Sequence, residues 1–429
     1  MITAGGACRG SADCHQPIGW VQNEGRRMGR TGTGPIVYLD YNATAPIRPE
    51  ALHATAEALR SVGNASSAHA PGREAAAAVE QARARVAALL GCAANELIFT
   101  SGATEANNLA IRSAAAPGRS LVISAVEHPA VSEAAATLDG TVHTIGVYPD
   151  GTLCLDELEE ALAAKPALVS IMAANNETGV LNDLELVVKL SHEAGALVHS
   201  DATQLVGRLP IDLRRLDLDS LSLSGHKFGA PQGVGALFVR RGTPMAIRPL
   251  AYGGGHERGR RPGTLNVPGI VGLGAAAEAA ARCLDQEASR IRLLRDRFET
   301  AVMTALPGTR RNGHPDRRLP GVSSLTFDGL PADAMLAAMP AIAASEGSAC
   351  AAGAMEPSRV LLAMGLSRDE AECTIRFSLG YATTADDIDS AIRHVIDAER
   401  RVHAALYPNT TTSASGTAQG QEGPRRHDA

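Results

Sequence analysis

Short apolar runs alternate with stretches of helical pattern between residues 96 and 239. The strand-like runs are residues 96–100, 121–124, 142–147, 168–172, 195–201, 216–223 and 236–239. Such alternation predicts an α/β fold with a mostly parallel, seven-stranded type of sheet covered by helices. Ligands of these sheets bind beyond the carboxyl ends of the strands. The polar clusters that follow the runs are therefore the candidate site.

Helices are predicted on both sides of this alternating region. The predicted elements outside it are helices at residues 49–60, 73–90, 286–305, 332–339 and 384–406, and strands at 321–327 and 374–379. The change of pattern after residue 284 predicts a second, smaller α+β domain.

We therefore divide the chain into two folded domains with an extension at each end. The large α/β domain is predicted at residues 52–283, and the small domain combines residues 36–51 with residues 284–406. Residues 1–35 and 407–429 have no pattern of apolar residues to bury, so both are expected to be disordered.

Composition limits the classes of function. A formal net charge of −6 with 3% aromatic residues gives neither attraction to nucleic acid nor a base-stacking surface. The longest apolar stretch, at residues 269–284, is an alanine-rich helix interrupted by Glu278 and Arg282, so no membrane span is predicted. The seven cysteines are odd in number and scattered, which indicates a reducing, cytoplasmic setting and no disulfide framework.

Lys227 stands between two strand-like runs, among small and hydroxyl residues. Most lysines are solvated, but Asp201 ends the neighbouring apolar run. A lysine and a carboxylate at adjacent strand ends fit a pyridoxal-phosphate site, with a Schiff base on the lysine and the aspartate opposite the pyridine nitrogen. Opposite charges about 4 Å apart attract by about 4 kcal/mol at an effective dielectric constant of about 20. That attraction is sufficient to keep the pyridine nitrogen protonated.

Residues 101–104 turn from a strand into a helix and offer a hydroxyl, backbone N–H groups and the positive end of a helix dipole. These groups bind phosphate, although a purely structural helix cap uses the same residue types. Ser224 and His226, close to Lys227, are further candidate phosphate ligands. Gln204 and Asn176 are candidates to bond a ring hydroxyl.

Two other charged or titratable residues are candidates for work on a substrate. His128 follows a strand-like run and would stack on a cofactor ring and move protons, although a lone histidine there is more often structural. Arg376 lies inside an apolar strand-like run, where an arginine is rarely unpaired. Its planar guanidinium group can donate two parallel hydrogen bonds, which suits a substrate carboxylate.

Cys350 lies among glycine, alanine and serine residues at 344–354, with no apolar pattern to bury it. This setting predicts an accessible, nucleophilic thiol.

Cys8, Cys14 and His15 lack a fourth ligand at suitable spacing, so no metal site is predicted. Four cysteines in or beside predicted elements are interpreted as structural: Cys92, Cys154, Cys283 and Cys373.

Together these stretches resemble the cysteine desulfurases of the nitrogen-fixation and iron–sulphur-cluster type (group I), which are fold-type I pyridoxal-phosphate enzymes. The matching stretches follow the family's order across residues 36–405. They are residues 38–44, 99–108, 127–128, 175–179, 201–204, 224–227, 253–264, 347–350 and 375–380.

The resemblance implies that L-cysteine is converted to L-alanine, and that a persulfide forms on Cys350 for transfer to an acceptor protein. Lys227 would carry pyridoxal 5'-phosphate as a Schiff base, Asp201 would face the pyridine nitrogen, and His128 would be the stacking acid–base group. Arg376, with Asn64, would bind the substrate carboxylate.

The resemblance also assigns the remaining cofactor contacts and an oligomeric state. Gln204 and Asn176 would contact the ring hydroxyl side. The residues that would hold the phosphate are Ala103, Thr104, Ser224, His226 and, from a second subunit, Thr264. A ligand from a second subunit implies a homodimer.

Three positions depart from the family's usual residues: Ala65 replaces a proline, Pro262 a serine and Glu346 a serine. None removes a reacting group, although Glu346 could alter partner docking or thiol ionisation.

A selenocysteine lyase or an aminotransferase-like enzyme shares the cofactor site, but the cysteine-bearing stretch argues against both. A non-catalytic sulphur-relay scaffold is the other alternative, and the intact reactive residues argue against it. The sequence does not indicate the sulphur acceptor.

Overall fold

The computed structural model of the chain describes residues 36–114, 118–346 and 356–408. The predicted N-terminal extension, residues 409–429 of the predicted tail, and Cys350 lie outside the described residues. The predictions made for those parts of the chain stay predictions.

Strands and helices alternate along the described chain. The strands are β1 (Val37–Tyr38), β2 (Leu97–Thr100), β3 (Leu121–Ser124), β4 (Val142–Ile145), β5 (Leu168–Ser170), β6 (Leu197–Asp201), β7 (Ser220–Ser224), β8 (Gly235–Val239), β9 (Thr309–Asn312), β10 (Val322–Phe327), β11 (Ile342–Ala343), β12 (Ser345–Glu346) and β13 (Thr374–Ser378). The helices are α1 (Pro49–Arg60), α2 (Ala70–Leu90), α3 (Ala103–Ala114), α4 (Pro129–Ala136), α5 (Leu155–Leu162), α6 (Leu184–Glu193), α7 (Val267–Ala305), α8 (Ala332–Ala338), α9 (Arg359–Ala363), α10 (Arg368–Glu372) and α11 (Ala385–Leu406).

Seven strands form the large sheet in the order β2-β8-β7-β6-β5-β3-β4. Strand β8 is antiparallel to β2 and β7, and the other pairs are parallel. The prediction of a mostly parallel α/β sheet is therefore confirmed. All five residues of β7 are buried, as expected for a strand covered on both faces. Asp201 pairs in register with Ser222, so the carboxyl ends of β6 and β7 meet at one edge.

A second sheet of four antiparallel strands has the order β12-β13-β10-β9, and β1 pairs in parallel with β11. A hydrophobic cluster packs α7 and α11 against it. The cluster contains Phe298 and Phe377, whose ring centroids lie 4.9 Å apart. Burial of each of these side chains stabilises the fold by roughly 1.5–3 kcal/mol.

Helix α7 runs for 39 residues without interruption. The sequence predicted two helices here, at residues 269–284 and 286–305, because the apolar pattern stops between them. No proline or glycine stands at that point to break the backbone hydrogen bonds, so the two helices are one. The predicted domain boundary at residue 284 falls inside α7 and stays a prediction.

One window of α7 has a mean hydropathy of 1.3 and is long and apolar enough to cross a membrane by those two criteria. That window is 56% buried inside the protein, where α7 packs against α1 and α2. Burial in the protein core therefore also accounts for the apolar composition of this window.

The segment of residues 39–45 crosses from the small sheet to the large one. The Leu39 carbonyl accepts a hydrogen bond from the Ser378 N–H of β13 at 2.7 Å, and the Ala45 N–H donates to the His226 carbonyl at 2.8 Å. The segment therefore lies against the turn that follows β7, beside the end of the large sheet.

Candidate active site

Lys227 lies in a short turn directly after β7. One 3₁₀ turn, Gly225–Lys227, follows the strand. Lys227 Nζ donates to the carbonyl oxygens of Asn42 at 2.6 Å and Ala43 at 2.8 Å. The lysine head is thus held between the end of the large sheet and the crossing segment, as expected for a residue in an organised polar site.

Arg208 ties the crossing segment to the Lys227 turn. Its Nη2 donates to the carbonyl oxygens of Tyr41 at 2.9 Å and Lys227 at 3.3 Å, and its Nη1 donates to Asn42 Oδ1. Burial, followed by repulsion from Arg376, lowers the pKa of Arg208 to about 10. Arg208 therefore stays charged at neutral pH, and its hydrogen bonds hold the backbone around Lys227 in place.

Asp201 ends β6 as a buried carboxylate. Its Oδ2 accepts a hydrogen bond from Asn107 Nδ2 at 2.7 Å, and its Oδ1 accepts from the Thr203 N–H at 2.9 Å. Both donors are neutral. These bonds therefore bring no positive charge to the carboxylate, and they leave lone pairs for a cationic ligand.

A histidine behind Asp201 fixes the orientation of Asn107. His199 Nε2 lies 3.0 Å from Asn107 Oδ1, and its Nδ1 lies 3.0 Å from Ser220 Oγ. Burial lowers the pKa of His199 to about 4, so the ring is neutral. Because Asn107 donates its amide to Asp201, its oxygen must accept from His199. The chain Ser220–His199–Asn107 thus orients the donor that holds Asp201.

Asn42 joins four of the predicted site residues. Its carbonyl oxygen, which accepts from Lys227, also accepts from Gln204 Nε2 at 3.1 Å. Its side-chain Nδ2 donates to the Asn176 carbonyl at 2.8 Å, and that carbonyl also accepts from Arg376 Nη1 at 3.1 Å. One network of hydrogen bonds therefore runs from the lysine to the arginine.

Arg376 is buried in β13. Its Nη2 donates to Asp40 Oδ1 at 2.9 Å, and its Nε is buried without a partner among the described residues. The expectation that this arginine is paired is met by Asp40. The unpartnered Nε–H leaves the guanidinium a donor for a further anion.

Ser224 and the first turn of α3 lie close together. A Cβ built on Gly102 would lie 3.4 Å from Ser224 Oγ. A Cβ on Gly235 of β8 would lie 2.7 Å from Gly102 Cα, a distance that real side chains do not reach. Two glycines thus allow this approach, and Ala103 and Thr104 begin the helix there. Their N–H groups have no acceptor inside the helix, so the structure offers a cradle for an anion.

His226 and His128 occupy defined positions beside these groups. His226 Nδ1 lies 3.0 Å from Thr44 Oγ1, and burial, together with the charges of Lys227 and Arg208, lowers the pKa of His226 to about 4. His128 is the N-cap of α4, and its Nδ1 accepts from the Ala130 N–H at 3.0 Å. His128 therefore has a structural role as a helix cap, which the sequence left open, and the capping hydrogen bond fixes the orientation of its ring.

Two buried carboxyl groups lie close to this network. Glu127 Oε1 accepts from Ser124 Oγ at 2.7 Å and from the Met172 N–H at 2.8 Å. Burial raises the pKa of Glu127 to about 8 and that of Glu177 to about 7. Ser358 Oγ donates to Glu177. Neither glutamate was singled out from the sequence.

We expect Glu127→Gln to change the pH dependence of stability. Burial raises the pKa of Glu127 from its ordinary value of 4.5 to about 8. At a pH between these two values the folded chain keeps a proton on Glu127, whereas the unfolded chain has released it. The stabilising contribution is complete below about pH 4.5 and is lost as the pH rises through about 8. The free energy of unfolding of the wild type should therefore fall relative to that of the variant over this interval, measured by urea unfolding.

Glu133→Gln is the matched control for that experiment. Glu133 lies on α4 with an exposed side chain. Its curve should run parallel to that of the wild type at every pH. Parallel curves for the wild type and Glu127→Gln would contradict the prediction.

Thr264 and Asn64 lie apart from the network. Thr264 is exposed. Asn64 is also exposed, and its side-chain oxygen accepts from the Ser66 N–H at 2.9 Å within its own turn. Among the described residues no hydrogen bond joins Asn64 to Arg376. The roles predicted for these two residues stay predictions.

The residues around Lys227 and Asp201 fit pyridoxal phosphate. Beside Asp201, two buried polar atoms lack a partner among the described residues: Gln204 Oε1 and Thr203 Oγ1. A lysine, a buried carboxylate, an unpartnered amide oxygen and an anion cradle are the groups that this cofactor requires. Within the described ranges no group of three or more His, Cys, Asp or Glu side chains is arranged to hold a metal ion.

Comparison with known proteins agrees with this geometry. The aminotransferase class-V family model matches residues 37–390. The chain is 44% identical to a cysteine desulfurase of Gluconacetobacter diazotrophicus over 395 residues, which are 89% of this chain and 98% of that protein.

Two solved structures are also similar to the chain. A NifS-like protein has a TM-score of 0.78 and 34% identity, and the match covers 84% of this chain and 98% of that one. SspA in complex with cysteine has a TM-score of 0.71 and 33% identity, with 80% and 98% covered. The resemblance found in the sequence is confirmed. The chain belongs to the cysteine desulfurases of the class-V aminotransferase family, which depend on pyridoxal phosphate.

Proposed function

We propose that this cysteine desulfurase loads pyridoxal 5'-phosphate at Lys227 and transfers sulphur from L-cysteine to Cys350. The observation that carries the proposal is the hydrogen-bond network from Lys227 through Asn42 and Asn176 to Arg376, with Asp201 beside it. When bound, the cofactor supplies an electron sink that weakens bonds at the α and β carbons of an amino acid.

The protein's own residues bind, orient and move protons around that chemistry. Asp201, held by Asn107, would keep a proton on the pyridine nitrogen. The first turn of α3 with Ser224 and His226 binds the phosphate. Gln204 and Asn176 would contact the ring hydroxyl side. His128, whose Nδ1 accepts from the Ala130 N–H, would stack on the ring and move protons at its Nε2.

Arg376 orients the substrate by its carboxylate, with Asn64 as a second candidate contact. The Cys350 thiol then takes the sulphur of L-cysteine. In the net step the carbon–sulphur bond of cysteine breaks, a sulphur–sulphur bond forms at Cys350, and cysteine plus the thiol become alanine plus a persulfide. No external oxidant is consumed. A thiol reductant releases the transferred sulphur as sulphide.

Incubation of the full-length holoenzyme with L-cysteine tests the proposal. Alanine and, under a thiol reductant, sulphide should appear in equal amounts. A non-catalytic sulphur-relay scaffold would form neither product. A much higher kcat/KM for L-selenocysteine, without dependence on Cys350, would favour the selenocysteine lyase alternative.

We expect Arg376→Leu to raise the KM for L-cysteine by roughly 10- to 150-fold, because hydrogen bonds between charged groups contribute about 1.5–3 kcal/mol. The value of kcat should change less, since the carboxylate does not react. Steady-state kinetics measures both constants. Arg376→Lys is the matched control: it keeps the charge toward Asp40 but loses the planar fork, so its KM should lie between the other two. An unchanged KM in Arg376→Leu would show that another group binds the carboxylate.

The assembly and setting are further parts of the proposal. A homodimer is supported by the exposure of Thr264, which leaves its side chain available to a second copy of the chain. A cytoplasmic location is supported by the four described cysteines, none of which is in a disulfide within the described ranges. The persulfide would pass to an acceptor protein, such as a scaffold for iron–sulphur clusters or a tRNA-thiolation partner. Trapping the protein that receives labelled sulphur from Cys350 identifies it.

A further inference from the structure

Residues 257–259 form a strained turn. Glu257 has φ 49° and ψ 37°, Arg258 has φ 60° and ψ 34°, and Gly259 has φ 77°. The left-handed conformation costs a residue other than glycine roughly 1–2 kcal/mol. Two such residues in succession persist only where the surrounding structure holds them.

A buried ion pair holds this turn. Arg83 of α2 contacts Glu257 with both ends of its fork, Nη1 to Oε2 at 2.9 Å and Nη2 to Oε1 at 2.6 Å. Glu257 Oε2 also accepts from the Phe99 N–H at 3.1 Å, on the open edge of strand β2. The Arg83 guanidinium lies 4.4 Å over the Phe99 ring and donates to the Leu97 carbonyl at 3.1 Å. The turn is therefore anchored on the strand that leads into the phosphate cradle.

The residues after the turn reach the cradle itself. Arg261 donates to Glu105 in the first turn of α3, from Nε to Oε1 at 2.8 Å and from Nη2 to Oε2 at 3.3 Å. Glu105 Oε2 also accepts from the Ser101 N–H at 2.7 Å. Burial raises the pKa of Glu105, but the bonds from Arg261 and Ser101 outweigh it and lower that pKa below the ordinary value. Glu105 is thus an anion beside the N–H groups that would bind a phosphate.

We propose that Arg83 and Glu257 are positioning residues for the cofactor phosphate, acting through Arg261. Their ion pair holds the strained turn, and the turn places Arg261 on Glu105. Arg261 neutralises the Glu105 carboxylate, which would otherwise repel a phosphate dianion at the N-terminal end of α3. This inference rests on the proposed function, because it takes the first turn of α3 as the phosphate site.

The test compares two ligands that differ only in the phosphate. Full-length protein freed of cofactor is titrated with pyridoxal 5'-phosphate and, separately, with pyridoxal, and the absorbance change gives both values of Kd. Arg261→Gln should weaken binding of pyridoxal 5'-phosphate about tenfold, while the Kd of pyridoxal changes less than about twofold. Glu257→Gln should act in the same direction.

Arg258→Gly is the matched control. Arg258 is exposed, and glycine adopts its left-handed conformation without strain, so both values of Kd should match those of the wild type. Thermal melting records whether each variant is folded. If Glu257→Gln unfolds, Arg83→Lys tests the ion pair, because it keeps the charge but loses the two-pronged contact with Glu257 and should act in the same direction.

The outcomes separate this inference from the proposed function. Equal losses for both ligands in Arg261→Gln would overturn the inference, because a merely structural role lowers both affinities together. No change in either Kd would overturn it as well. Failure of the wild-type protein to bind pyridoxal 5'-phosphate more tightly than pyridoxal would instead contradict the phosphate site on which the proposed function depends.

Discussion

Lys227→Ala should reduce the formation of alanine and sulphide from L-cysteine by on the order of 10³-fold or more. Lys227 Nζ is the nitrogen that would hold the cofactor aldehyde, and alanine offers none. This nitrogen lies between the carbonyl oxygens of Asn42 and Ala43, and the other side chain that donates to the Asn42 oxygen is the amide of Gln204, which cannot form a Schiff base. Amino-acid analysis for alanine and a colorimetric assay for sulphide measure the loss.

The anchor can also be located without measuring activity. Borohydride reduction of the wild-type holoenzyme, followed by mass spectrometry of its peptides, should find the mass of the cofactor on Lys227. The chain has only two other lysines, Lys165 and Lys189, and both are exposed. Lys165→Ala and Lys189→Ala should keep full activity. The mass of the cofactor on either of them would show that the assignment is wrong.

Cys350→Ser should abolish sulphide formation to a similar extent, on the order of 10³-fold or more, because a hydroxyl does not accept sulphur to form a persulfide. Binding of the cofactor should be unchanged, since none of the groups that would hold it is altered. In the wild type, brief exposure to L-cysteine without reductant should add the mass of one sulphur atom to the peptide that contains Cys350.

Other cysteines provide the controls for that prediction. Cys154 and Cys283 are partly exposed and are not among the residues proposed to act on the substrate, so Cys154→Ser and Cys283→Ser should retain activity. Burial raises the pKa of the Cys92 thiol to about 12, which keeps it protonated and unreactive. Full sulphide formation by Cys350→Ser, or the extra sulphur mass on another cysteine, would contradict the proposed route.

Hydrophobic pattern alone predicted most of the fold. Each of the seven strand-like runs became a strand of one sheet, since apolar runs of that length have few other ways to be buried. Helix α1 has the predicted bounds of residues 49–60. Helix α2 begins at Ala70, three residues before the prediction, because His69 caps it and Pro71 fits its first turn.

Contacts between distant residues could not be predicted in the same way. Asn42 lies within a stretch that resembles the family, yet its bonds to Lys227 and Gln204 span 185 and 162 residues. Arg208 follows Gln204 along the chain with no pattern to mark it. The position of His199 in the sequence could have indicated its role. It stands two residues before Asp201 on the same strand, and therefore on the same face of the sheet.

Helix α7 has a consequence for how the protein unfolds. Its first half contributes Ile270 and Leu273 to the hydrophobic cluster of the large sheet, and its second half contributes Phe298 and Val302 to that of the small sheet. At about 1.5 Å per residue, α7 is a continuous rod through both clusters. Melting either half leaves the other with frayed ends and exposed apolar surface, so loss of structure in one core should destabilise the other.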